Sequence, residues 1–380
     1  MDKLTMQNVQ LYPARKVIVP NDRDTKTLFN YSAETYRRRL NNPDGFIIVE
    51  VKNHKRFGKI KTPVKLTIDP TVAAADPTLM EPLSQFDFDV ATVCISSWHA
   101  DKRRLSPAII YRCLTGKIGQ HDFTPSKDQL AAIMHSLKKL MNVHLDIYLH
   151  DACIKLGYNK GKPITISNYI IPAQIGEGFI NGQRTTVIDL TAESPLLTVA
   201  TVKNNQLIAY DARILNIPRQ NNTPLHIELK HYIMRRVMEI IAHPKEMTPS
   251  ITFADVFEKC GLENASPSKK WRIRKFIESF IAHLLNCGVL TSYQVNKKDN
   301  NLYSISFTFP QKASKAERMK TSEQIETRAV SSAVGTSQSR SYYAENWQWT
   351  ILKASQLPKS PFYIVLTPLL PTLIPTPNTL

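Results

Sequence analysis

Residues 266–290 read SPSKKWRIRKFIESFIAHLLNCGVL. Ile273, Phe276, Ile277, Phe280, Ile281 and Leu284 recur at helical spacing and share one face, which predicts an amphipathic helix. Ser268, Trp271, Arg272, Lys275 and Ser279 fall broadly opposite. The charges run against helix electrostatics. Lys269, Lys270, Arg272, Arg274 and Lys275 crowd the first turns, where the partial positive charge of a helix N-terminus favours carboxylates. Cations there reduce stability, so their reason lies outside the helix. A docked polyanion supplies one, because phosphates attract both the helix N-terminus and the basic side chains.

The neighbouring segments agree. LHIELKHYIMRRVMEIIAH (225–243) predicts a helix with Leu229, Ile233, Val237 and Ile240 on one face. SITF (250–253) predicts a short strand, and ADVFEKCG a short helix ending at Gly261. After the long helix, TSYQVNKKDNNLYSISFTF alternates as two strands around the polar turn 297–301. Helix, strand, helix, helix, strand, turn, strand is the order of a winged helix, the helix-turn-helix variant with a β-hairpin wing. Its last helix enters the major groove with its N-terminal residues nearest the bases. On that reading Arg272 pairs bidentately with the O6 and N7 edge of a guanine. Lys269, Lys270 and Lys275 hold phosphates, which position without specifying, and Ser268 and Trp271 share their surface. Lys297 and Lys298 at the wing tip reach a phosphate or the minor groove. Arg235 and Arg236 on the first helix cross the backbone. A basic run is more often a solvated helix face. Here element order, cation placement and a lysine-tipped hairpin coincide.

Composition supports a polyanionic partner. The chain has 380 residues, enough for two or three domains, with 49 Lys+Arg against 32 Asp+Glu, a formal net charge of +17 and a pI near 9.6. Double-stranded DNA is the expected partner. A membrane is not, because no segment sets a basic face against an uninterrupted apolar one and no apolar run approaches the ~18 residues of a span. MDKLTMQNVQ lacks an apolar core, so no secretory leader is expected. The five cysteines, Cys94, Cys113, Cys153, Cys260 and Cys287, are widely spaced among apolar neighbours, which predicts reduced core residues in a cytoplasmic protein.

The rest divides by composition. Residues 1–84 read as an N-terminal extension with a helix at 28–42, a strand at 45–51 and a linker, TIDPTVAAADPTLMEP. Residues 85–217 read as a first winged-helix-like domain with a β insertion at 164–210. Its helices are DFDVATVCISSWHA, LSPAIIYRCLTGK (Ser106 as N-cap, Pro107 first, Gly116 at the end) and TPSKDQLAAIMHSLKKLM. In the third, Leu130, Ile133, Met134, Leu137 and Met141 recur at helical spacing, and Lys138 and Lys139 sit at the C-terminal end that the helix dipole favours. LLTVATVKNNQLIAY predicts a hairpin turning near Asn204-Asn205. Residues 222–310 form the second winged helix. From 311 to 380 a Ser-rich polar segment and a Pro, Leu, Thr-rich tail predict disorder or irregular structure. The fold class expected is α+β, with two winged-helix domains and a disordered C-terminal tail.

Catalytic motifs are absent by spacing. His144 and His150 lie too far apart for the His-hydrophobic-His metal site of rolling-circle initiators, although Tyr158 and Lys162 match a Tyr-x3-Lys spacing. GYNKGKP (157–163) is one spacer short of a P-loop and has Pro163 at the hydroxyl position. Tyrosine recombinases use His-x2-Arg, and after His231 the arginine, Arg235, comes one place late, behind Met234. The ten histidines show no metal-ligand spacing. No catalysis, cofactor or metal is expected.

Two winged-helix-like halves in a basic chain, with TPSITFADVFEKC, SKKWRIRKFIESFIAHLLNCGVL and NNLYSISF, resemble the plasmid replication initiator (Rep) proteins that bind iterated repeats at an origin. The resemblance covers about residues 85–309. It implies tandem winged helices, one per half-repeat, with the later one making the main contacts through Lys269, Arg272 and Lys275. The earlier one would contact DNA or mediate a homodimer, and the protein would recruit the host helicase or other replication proteins. A winged-helix transcriptional regulator is the alternative; a structural or RNA-associated basic protein is a third reading.

Overall fold

The structure, a computed structural model, describes residues 13–29, 40, 46–54, 57–118, 120, 123–180, 183–218, 220, 222–298 and 301–310. It opens with β1 (Lys16–Pro20), α1 (Arg23–Leu28), β2 (Phe46–His54) and β3 (Gly58–Thr67). The strand expected at 45–51 is present as β2. The helix expected at 28–42 falls mostly outside the described residues, as do Asp299, Asn300 and the whole of 311–380. The segment expected as a linker instead forms α2 (Pro70–Ala75) and a 3-10 turn (Pro77–Met80). Asp69 and Asp76 start them by accepting the Thr71 and Thr78 N–H groups, and buried Leu79 ties the segment to the core. Residues 1–84 are more than an extension. β1 pairs with β9 (Leu207–Asp211), and β2 and β3 join β5 (His144–Tyr148) and β6 (Thr165–Tyr169) in the antiparallel sheet β2-β3-β5-β6.

Three well-capped helices follow, as the sequence predicts. In α3 (Gln85–His99), Ser84 and Asp87 form a capping box. In α4 (Pro107–Thr115), Ser106 caps the start and Gly116 ends it at φ +77°. In α5 (Lys127–Asn142), Ser126 and Gln129 form a second capping box. β4 (Arg104–Leu105) precedes α4, and the hairpin β7 (Ala173–Ile180) and β8 (Gln183–Leu190) completes a sheet ordered β4-β8-β7. The pattern then recurs as α8 (Pro224–Ala242), β10 (Ser250–Thr252), α9 (Phe253–Lys259), α10 (Pro267–Asn286), β11 (Ser292–Lys298) and β12 (Asn301–Thr308), with sheet order β10-β12-β11. Each half runs helix, strand, helix, helix, hairpin, and each places the second hairpin strand at the centre of its sheet.

The first half carries an insertion between its third helix and its hairpin, but not as expected at 164–210. Residues 143–172 hold β5, α6 (His150–Leu156) and β6. Further along, residues 195–202, expected as half a hairpin, are helical: α7 (Pro195–Val202) starts at Pro195 with Ser194 capping Leu196 N–H. Its Leu196, Leu197, Val199 and Ala200 are buried, so burial all along one short helix outweighs the β-branched composition. Asn204 and Asn205 do take turn conformations, with φ of 61° and 55°. Their turn joins α7 to β9.

Helix α8 links the halves. Leu229, Ile233, Val237 and Ile240 are buried as expected, and so are Lys230, His231 and Arg235. Arg235 does not reach a DNA backbone. It is 6% exposed, pairs with Asp89 of α3 and donates to Gln85 Oε1 at 2.8 Å. Its spacing from His231 and Met238 places it on the core face of α8. Glu228 Oε1 accepts the Phe86 N–H at 3.2 Å, so two contacts from α8 converge on the start of α3. His231 Nδ1 accepts the Tyr210 hydroxyl and Nε2 donates to the Leu114 carbonyl, both at 3.0 Å. Burial lowers its pKa to about 3, and the ring is neutral. Lys230 donates to the Leu215 carbonyl (2.8 Å) and Asn222 Oδ1 (2.6 Å), and burial lowers its pKa to about 7.

Candidate nucleic-acid interface

Ser266 accepts the Lys269 N–H and Pro267 occupies the first position, so α10 starts as its sequence dictates. The helical phase also holds: Ile273, Phe276, Ile277, Phe280, Ile281 and Leu284 are its buried residues. Ser268, Lys269, Trp271, Arg272, Lys275 and Ser279 are exposed.

The five cations separate into two groups. Lys270 and Arg274 turn toward α9. Lys270 Nζ donates to the Glu263 carbonyl at 2.5 Å and lies 5.7 Å from the Phe257 ring. The Arg274 guanidinium sits 5.6 Å from Phe253 and 5.5 Å from Phe257. These are cation–π contacts that lock the two helices together. Lys270, expected on a phosphate, therefore has an internal role. Lys269, Arg272 and Lys275 face outward. Lys275 bridges Glu278 at 3.0 Å with its side chain 53% exposed, a pair worth little in water and readily given up to a phosphate. The Lys269 and Arg272 side chains make no hydrogen bond or ion pair among the described residues. Trp271 is 57% exposed on the same helix.

The hairpin brings further groups. Lys297 is exposed on β11, and the register against β12 shifts between Asn296 and Lys297. Such an irregularity re-aims the strand end. Asn296 Nδ2 anchors the sheet below by donating to Ser304 and Ser306 at 3.1 and 2.7 Å. Lys298 ends β11. Tyr303, 49% exposed on β12, is a residue the sequence reading missed. Tyr303 shares strand parity with buried Ile305 and Phe307, so alternation alone would place it inward. The register shift, which pairs Asn296 with Ser304 and Lys297 with Leu302, falls at Tyr303 and turns it outward. Arg236 is half-buried, 3.6 Å from Glu239, and Glu239 also takes Lys26 Nζ at 2.5 Å. Arg236 thus belongs to an ion-pair cluster on α8, apart from the outward group on α10.

The corresponding helix of the other half, α5, differs among the described residues. Lys139 is 4% exposed and donates to Asp87 at 2.7 Å and to the Pro82 carbonyl at 3.0 Å. Lys138 is exposed, and α5 opens with Lys127 followed by Asp128. Among the described residues no group of three or more His, Cys, Asp or Glu side chains is placed to hold a metal. No described helix is long and apolar enough to cross a membrane.

No family model matches the chain, and no curated protein matches it. Solved structures similar to the chain include two of RctB. The crystal structure of selenomethionine derivatives of domains 2 and 3 of RctB shares 10% identity at a TM-score of 0.34, covering 73% of this chain and 98% of that one. The crystal structure of RctB domains 2–3, RctB-155-483, shares 12% at a TM-score of 0.35, covering 72% and 95%. Overlays this loose leave the functional argument to the chain's own residues.

Proposed function

We propose that the chain is a sequence-specific double-stranded DNA-binding protein built from two winged helices, and that it acts as a replication initiator at repeats in an origin. The observation that carries DNA binding is the outward trio Lys269, Arg272 and Lys275, with exposed Trp271, on the first turns of α10. A helix that spends its exposed N-terminal turns on cations favours an anionic partner over its own stability. The hairpin β11–β12 serves as the wing, with Lys297 toward the phosphates. The shared strand order of the two halves supports a tandem arrangement, each half matching one part of a repeated site. Arg272 reads a base, and Lys269 and Lys275 hold the backbone. The protein works in the cytoplasm without catalysis, cofactor or metal, as a monomer or homodimer, and recruits a host helicase through protein contacts.

A nuclease footprint on the DNA flanking the gene tests this reading. Protection of several evenly spaced direct repeats is the expected result. Protection of one short operator would make the protein a winged-helix regulator, and uniform or absent protection would remove sequence recognition altogether.

A further inference from the structure

The sheet β2-β3-β5-β6 buries only one of its faces. Ile47, Val64, Leu66 and Ile147 point into the core with 0–2% exposure. The alternate residues point outward. Strand pairing sets Ile48, Pro63, Tyr148 and Thr165 in one row, and Thr67, His144 and Tyr169 in another, with Lys65, Asp146 and Ser167 between. Ile48 is 43% exposed and Tyr169 44%. The His144 and Tyr169 rings meet edge-on at 5.2 Å, and Tyr148 meets His150 at 6.2 Å. Beside Tyr148 and Ile48 lies a cleft of about 560 Å³, bordered also by Lys61.

The charges on this face include Lys59, Lys61, Lys65 and Lys155 against Glu50, Asp146 and Asp151, an excess of one positive charge, with Lys65 opposite Asp146 in the register. Lys59, Lys61 and Lys65 alternate outward along β3. Asp146 is engaged by the Ser167 hydroxyl at 2.6 Å, Asp151 is bridged by Lys155 at 2.9 Å, and Glu50 stands opposite Lys61 in the register. Two aromatic stations on an open sheet, flanked by lysines, offer what an unstacked strand needs: ring faces for bases and cations for phosphates. A duplex offers no free base faces, so it cannot use the rings.

We propose that this face binds single-stranded DNA through Tyr148 and Tyr169, with Lys61 and Lys65 on the phosphates. The choice of DNA over RNA rests on the duplex reading of α10, whereas the strand-binding chemistry stands on the sheet alone. The site lies on different elements from α10, so one chain engages paired and unpaired DNA at once. That combination suits a protein that opens the duplex it marks.

The test is fluorescence anisotropy of the full chain with a labelled oligodeoxythymidine of about 20 nucleotides, long enough to span a single-strand site. The parent chain should bind it. Tyr148→Ala with Tyr169→Ala should weaken that binding tenfold or more and leave duplex binding unchanged. Tyr148→Phe with Tyr169→Phe should keep it, because the rings remain, and this pair guards against a folding defect. Lys61→Ala with Lys65→Ala should flatten the salt dependence on the oligonucleotide. No binding by the parent, or a loss on Arg272→Ala with the tyrosine variants silent, would overturn the proposal. Equal or tighter binding of oligouridine through the same tyrosines would overturn its choice of DNA. Tyrosine-dependent oligonucleotide binding without any duplex binding would uphold the sheet and remove the reading of α10.

Discussion

Two arginines show how position decides role. Arg235 and Arg272 both lie on helices beside other cations. Arg235 is sealed against Asp89, and Arg272 faces water. Arg235→Ala leaves Asp89 buried and unpaired, a loss of about 3–5 kcal/mol for such pairs, and a urea titration should show it. Arg272→Ala should leave the urea midpoint in place and lose ~1–3 kcal/mol of discrimination between specific and random DNA. Equal losses on both DNAs would remove base readout by Arg272. Glu228 adds a pH dependence. Burial first, then the nearby Asp89 charge, raises its carboxyl to about 8 from 4.5. The native state therefore keeps a proton there that the unfolded chain releases. The stability this group contributes is full below pH 4.5 and is lost as pH rises through about 8. Glu228→Gln removes that dependence, so its stability relative to the parent should rise between about pH 5 and pH 8.5. Lys230 titrates in both proteins and cancels in the difference. An unchanged difference in urea midpoints would mean that native Glu228 is ionised.

Among the elements, caps were the most legible feature and crossed strands the least. Ser106, Pro107 and Gly116 announce α4 in sequence because capping is local chemistry. The structure adds a second demand at Gly116. A Cβ there would sit 2.5 Å from the Asn216 nitrogen and 2.6 Å from the Ala212 oxygen, at φ +77°. Gly116→Ala should destabilise by more than the ~1–2 kcal/mol of the left-handed conformation alone. Gly157→Ala, at φ +72° with nothing within 4 Å, should lose only that conformational amount, and thermal melts of the two variants separate the contributions. The segment 195–202 misled in the opposite direction. Its Leu, Val and Thr run has no local mark against a strand, and its helix is decided by the four side chains it buries.

At the scale of the molecule, the halves share a plan without sharing a sequence, and α8 fastens one to the other. A boundary at 217–222 cuts the Lys230–Leu215, Glu228–Phe86 and Arg235–Asp89 contacts. A fragment of residues 222–310 should therefore unfold at lower urea than the intact chain, since it keeps the buried charges of α8 and loses their partners. Equal midpoints would make the second half self-sufficient. Residues 16–20 likewise pair with 207–211 across the first half, which no local reading of the N-terminus reveals.

By itself the sequence determined the course of α3, α4, α5, α8 and α10, the hairpin after α10 and the outward face of that helix. Those features depend on residues three or four apart, or on a cap and its turn, and such neighbours are fixed by covalent order. Only the tertiary structure decided that Lys270 and Arg274 serve the α9 aromatics, that Arg235 is a core residue and that the N-terminal strands complete a sheet. Those outcomes depend on partners outside the residue's own element, 146 residues away for Arg235 and Asp89. A cation's role is set by the charge or ring it meets, and that meeting exists only once the chain has folded.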